Sequence, residues 1–87
     1  MYCILVYDVN IKKVSKINKI LRRYLYWVQN SVFEGEISES NLMELEAELS
    51  QILNPDRDSI IIFTFDKPKW INKKIIGKEK GSVSNII

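Results

Sequence analysis

The segment Tyr2-Cys3-Ile4-Leu5-Val6-Tyr7, closed by Asp8, is apolar on both phases of a two-residue repeat. That pattern belongs to a strand covered on both of its faces. Ser59-Ile60-Ile61-Ile62-Phe63-Thr64-Phe65 reads the same way. From Asn10 to about Leu25, the residues Val14, Ile17, Leu21, Tyr24 and Leu25 recur at spacings of three and four. They predict an amphipathic helix of about four turns. Trp27–Ile37 is too short and too β-branched for a helix, and Asn30-Ser31 makes a tight turn within it, so it reads as a hairpin. Ser38 is placed as an N-cap, with Glu39 in the first turn. Leu42, Leu45, Leu49, Ile52 and Leu53 form a second helical stripe, which Asn54-Pro55-Asp56 ends. Asp66-Lys67-Pro68 breaks the last core strand, and Ile75-Ile76 predicts a short extra C-terminal strand.

The order is βαββαβ, an α+β, ferredoxin-like pattern. It is expected to span one domain over 1–87, with a core at 1–66 and a basic C-terminal extension at 67–87. Right-handed crossovers put both helices on one face of the sheet. The two strands that are apolar on both faces then need cover on the other side. A homodimer burying sheet against sheet supplies it; displaced helices or a C-terminal tail folded over that face are the alternatives.

Composition narrows the chemistry. At 87 residues, the chain buries only about two-thirds of the surface its unfolded form exposes, and so leans towards a partner. It is 46% hydrophobic and 28% charged, a globular balance. It has no histidine, which removes imidazole bases, Ser-His-Asp and Cys-His sites and HExxH zinc centres. The single cysteine, Cys3, excludes an intrachain disulfide and a Cys-ligated zinc site within one chain. Gly35, Gly77 and Gly81 build neither GxGxxG nor a Walker loop. No apolar run reaches the ~18 residues that span a bilayer. The apolar opening has no basic stretch before it, so a cytoplasmic protein without a signal peptide is expected.

The net charge of +2 is small, but the charge is sorted. Lys12, Lys13, Lys16, Lys19, Arg22 and Arg23 lie on or beside the first helix with no acid among them. Glu34, Glu36, Glu39, Glu44, Glu46 and Glu48 occupy the hairpin and second helix. The C-terminal stretch carries Lys67, Lys69, Lys73, Lys74, Lys78 and Lys80. Two basic segments on a duplicated subunit point to phosphate-backbone binding, against the plainer reading of a solvated helix face. No aromatic RNP pattern for base readout is present.

Asp8 is the first charge in the chain and stands at the end of an apolar strand. That is a place for a metal or substrate site; a cap on the following helix is the competing role. A second copy would pair the carboxylate, and paired carboxylates suit Mg²⁺, an oxygen-seeking ion that keeps several waters. Tyr7 either orients a phosphate or fills the core. Trp27 and Phe33 fill the hairpin core, Trp70 anchors a partner or the tail, and Cys3 is a small buried hydrophobe.

Tyr7-Asp8-Val9, Leu21–Leu25 (LRRYL), Gln29–Gly35 (QNSVFEG) and Asp58–Phe63 (DSIIIF) occur in an order that resembles the CRISPR-associated Cas-two family, the small subunit of the spacer-adaptation machinery. The resemblance covers nearly the whole chain. It implies a ferredoxin-like homodimer whose C-terminal strand can pair with the partner's sheet. It implies a metal-binding and catalytic aspartate at Asp8, with Mg²⁺-dependent endonuclease activity on RNA or DNA as in some members. It also implies a role bridging dimers of the Cas-one integrase during spacer acquisition. Metal-assisted hydrolysis is the corresponding mechanism. Two departures stand out. Trp27 occupies a position where some nucleases of the family have arginine, and Lys12, Lys13 and Lys16 replace early helix arginines, exchanging bidentate forks for point charges. A non-catalytic DNA-holding adaptor and an unrelated ferredoxin-like regulatory dimer are the alternatives. RNA versus DNA as substrate, and the integrase surface contacted, are not legible from the residues.

Overall fold

The protein was studied as a computed structural model, which describes residues 1–66, 73–78 and 80. Trp70 and most of the basic extension lie outside the described residues. The elements follow in the order β1 (Tyr2–Asp8), α1 (Ile11–Leu21), β2 (Tyr26–Gln29), β3 (Val32–Glu36), α2 (Glu39–Ser50) and β4 (Ser59–Phe65). The sheet is antiparallel with strand order β2-β3-β1-β4.

Alternation along β1 sets the layers. Cys3, Leu5 and Tyr7 point under the helices and are buried, whereas Tyr2, Ile4, Val6 and Asp8 point to the opposite face. Ile17, Ile20 and Leu21 of α1, Leu45 and Leu49 of α2 and Phe33 of β3 close on the first set. Each fully buried side chain of this size contributes about 1.5–3 kcal/mol.

The helices end where local bonds say they should. The periodicity carried α1 to Leu25, but the helix stops at Leu21 and the chain tightens through Arg23 N–H to Ile20 O and Tyr24 N–H to Leu21 O. That turn keeps Leu25 in the core while starting β2 one residue before Trp27. Ser38 caps α2 as expected, its hydroxyl accepting from Asn41 N–H at 3.1 Å. Residues 73–78 form no strand, so the extra strand expected at Ile75-Ile76 is absent from the described residues. Ile75 and Ile76 instead line a cavity with Val28 and Gln29 of the edge strand β2 without joining its ladder.

The second face of the sheet stays open on the β4 side. Ile61, Phe63 and Phe65 pair in register with Val6, Ile4 and Tyr2. They are 54%, 51% and 39% exposed. On the β3 side, Lys73 reaches this face and pairs with Glu34, which is 7% exposed. Among the described residues, Lys73 meets this face beside β3, and Ile61 and Phe63 of β4 remain exposed.

Candidate functional site

Asp8 closes β1 on the open face. Its backbone pairs with Ser59 of β4 and its side chain is exposed. The competing role as a helix cap belongs to another residue. Asn10 has extended geometry, φ −54° and ψ 137°, and its Oδ1 accepts from Lys12 N–H at 2.9 Å. No salt bridge or side-chain hydrogen bond engages the Asp8 carboxylate among the described residues. The same residues contain no group of three or more acidic or thiol side chains that could hold a metal within one chain. One carboxylate beside an apolar face fits an ion such as Mg²⁺, which takes one or two carboxylates and completes its shell with water. A second copy laid on that face would bring the second carboxylate.

The turn that carries Asp8 into α1 is fixed from the other side of the sheet edge. Asp58, between α2 and β4, accepts from Asn10 N–H at 3.1 Å, from Lys13 Nζ at 2.5 Å and from Asn54 N–H at 2.8 Å. Its side chain is 1% exposed. The Lys13 ammonium first, then the backbone amides, hold its carboxyl down at about 2.

The six basic residues on or beside α1 divide into separate roles. On a 3.6-residue helix Lys12, Lys16 and Lys19 fall within one narrow stripe with Lys13 at its flank, while Arg22 caps the helix and Arg23 lies in the tighter turn beyond it. Lys12, Lys16 and Lys19 are exposed, and no ion pair engages them among the described residues. Lys13 is committed to Asp58. Arg23 pairs with Glu48 of α2, whose other oxygen accepts from Tyr24 OH at 2.5 Å. Those two partners pull the Glu48 carboxyl below its ordinary range. Arg22 lies over the Trp27 ring, 5.8 Å from its centroid. α1 packs on the inner face of the sheet and Asp8 lies on the outer one. The basic stripe thus starts near the end of β1 at Lys12 and runs along α1 on the helix side of the sheet, whereas Asp8 lies on the other face.

Tyr7 is a core residue, with its hydroxyl donating to Asn18 Oδ1 at 3.3 Å, so it orients no phosphate from that position. Cys3 is fully buried, and burial pushes its thiol up to about 11. It is inert as a nucleophile near neutrality. Phe33 fills the core as expected, while Trp27 is only half-buried beneath Arg22. Sequence reasoning missed the Asp58 junction and the buried Glu34. The sole hint of the first was an acid placed directly before an apolar strand. For the second it was a glutamate inside a short β-branched run.

The profile of the family described as CRISPR associated protein Cas2 matches residues 1–73. The CRISPR-associated endoribonuclease Cas2 of Thermotoga maritima is 48% identical over 81 residues, 93% of either chain. That of Methanothermobacter thermautotrophicus is 40% identical over 87 residues, all of this chain and 96% of the relative. A crystal structure of cas2 superposes with a TM-score of 0.82 at 46% identity, covering 92% of this chain and 90% of the other. Match, length and fold agree: the chain belongs to the Cas2 family.

Proposed function

We propose that two copies of this chain form a metal-dependent endonuclease of the CRISPR spacer-adaptation machinery, acting in the cytoplasm beside the Cas-one integrase. The observation that carries this reading is the Asp8 carboxylate. It is exposed, spared from capping and ion pairing, and set at the margin of the open apolar face. Joining two copies through Ile61 and Phe63 removes that face from water and draws two Asp8 side chains towards the two-fold axis. The relatives' name, CRISPR-associated endoribonuclease, supports RNA as the first substrate to try.

When bound between the carboxylates, Mg²⁺ would supply Lewis-acid activation of a phosphodiester and of a water. The chain's own contribution is threefold. The Asp8 carboxylates hold the ion and leave most of its shell to water and phosphate. The apolar strands around them lower the local dielectric, which strengthens attraction to the ion. Lys12, Lys16 and Lys19 bind backbone phosphates on the helix side through point charges that are indifferent to sequence.

A second reading, a non-catalytic adaptor, is favoured by the same basic stripe, because its helix packs on the face of the sheet opposite Asp8. Nucleic acid held on α1 need not reach the carboxylates at all. The test scores cleavage of RNA and DNA with Mg²⁺ from pH 6 to 9, beside spacer acquisition in cells, for wild type and Asp8→Asn. Loss of cleavage in Asp8→Asn is the expected result. Retained acquisition in that variant makes the adaptor the biological role, and no cleavage by the wild type overturns the enzyme reading.

A further inference from the structure

We propose that Asp58 is the positioning residue of the Asp8 site, a buried clamp that sets where the Asp8 carboxylate stands. The inference rests on the reading of Asp8 as a metal ligand. Its basis is an arrangement on both sides of Asp8. The backbone of Asp8 itself is paired in register with Ser59. Two residues later, the Asn10 N–H donates to Asp58, the immediate neighbour of Ser59. Asp8 is thus strung between two adjacent anchors, Ser59 at the start of β4 and Asp58 at the end of the α2–β4 turn, with only Val9 between it and the residue held by the second.

That turn is itself rigid. Asp58 N–H donates to Asn54 O at 2.8 Å, Asn54 N–H donates back to the Asp58 carboxylate, and Asp56 N–H donates to Asn54 Oδ1 at 3.0 Å. The Lys13 ammonium closes the clamp from the first turn of α1. Both oxygens of Asp58 are used, Oδ1 by Asn10 and Oδ2 by Lys13 and Asn54. All the partners are donors, so only an ionised carboxylate satisfies them together. An amide at this position has one acceptor oxygen, and its NH₂ must face either Asn10 N–H or the Lys13 and Asn54 donors. The Asp58 side chain is 1% exposed, so in either orientation the NH₂ stands against a donor within the clamp. The released segment would be residues 9–13, and Asp8 would lose its fixed position relative to a second copy.

The test titrates Mn²⁺ into the full-length wild type, Asp58→Asn, Lys13→Met and Tyr24→Phe, and follows backbone amide exchange in each. Tyr24→Phe removes a hydrogen bond between α2 and the turn that follows α1, remote from residues 8–13 in the chain, and so serves as the purely structural control. In Asp58→Asn, Mn²⁺ affinity is expected to fall about 10–100-fold, the usual effect of removing a group that orients a metal ligand. Exchange at Asn10 should accelerate, and light scattering should show an unchanged oligomer. Tyr24→Phe should bind Mn²⁺ as the wild type does. Accelerated exchange with wild-type Mn²⁺ affinity in Asp58→Asn overturns the positioning role and leaves a structural one. If Asp58→Asn fails to fold, Lys13→Met decides. A several-fold loss of affinity supports the clamp, and unchanged affinity overturns it. A flat titration of the wild type is a separate outcome, which overturns the metal reading of Asp8 and this inference with it.

Discussion

Replacing Asp8 and Asn10 by alanine, one at a time, should separate chemistry from architecture at the end of β1. Asn10 Oδ1 accepts from Lys12 N–H at 2.9 Å, and its backbone N–H is held by Asp58. Asn10→Ala keeps the second bond and loses the first, an N-cap loss of about 1 kcal/mol within a range of roughly 0.5–2. In a domain of this size that lowers Tm by about 4–8 °C. The Asp8 side chain has no such bond, so Asp8→Ala should stay within about 0.5 kcal/mol of wild type. If two copies bring their Asp8 side chains together, relief of like-charge repulsion should even raise Tm slightly. Thermal melts are compared at one protein concentration in EDTA, because the Tm of an oligomer depends on concentration. Mn²⁺ is then added. At a hundredfold excess over Kd the wild type should gain about 2.7 kcal/mol, and Asp8→Ala should gain nothing. A loss in EDTA for Asp8→Ala as large as that for Asn10→Ala would refute the reasoning, since Asp8 would then be structural.

Light scattering at micromolar concentration should give about twice the chain mass of 10.2 kDa. Ile61→Glu with Phe63→Glu should halve it, because charges on a face that now presents apolar groups cannot be buried unpaired. A wild-type monomer would remove the shared site. Changing Lys12, Lys16 and Lys19 to Ala should flatten the salt dependence of duplex binding by ~0.9 in log K per log salt for each phosphate left without its lysine. Lys13→Ala should matter less, because Lys13 is already committed to Asp58. The Asp58 carboxyl stands at about 2 in the fold, against an ordinary 3.8, so the unfolded chain binds its proton more readily. Its contribution to stability is complete above pH ~4 and is lost as pH falls towards 2. Acid unfolding of Asp58→Asn should therefore be less steep across that window, and an identical profile would contradict the clamp.

Much of the fold was legible because periodicity is a local signal. The doubly apolar Tyr2–Tyr7 marked a central strand, and Ser38 marked the start of α2 by its capping chemistry alone. The end of α1 was not legible. Tyr24 and Leu25 continue the apolar spacing, and only the hairpin that must begin at Tyr26 forces the tighter turn after Leu21. Asp8 was visible as a charge ending an apolar run, but its competing role as a cap was not decidable until Asn10 was seen to take it. The Asp58 clamp joins positions 45 and 48 residues apart, a separation that no local pattern records. The acid-free run of Lys12, Lys13, Lys16, Lys19, Arg22 and Arg23 on or beside α1 was legible in the sequence. Their division into Lys12, Lys16 and Lys19 on one side and the paired Lys13 and Arg23 on the other depends on acids from α2 and the α2–β4 turn.

The central claim is that two chains share one metal site through Asp8. It is tested most directly by the stoichiometry of Mn²⁺ binding to the full-length protein, measured calorimetrically on wild type and Asp8→Asn. The expected result is one ion per two chains in the wild type and none in the variant, with light scattering showing the same oligomer for both. Binding that persists unchanged in Asp8→Asn, or one ion per chain in the wild type, would contradict it.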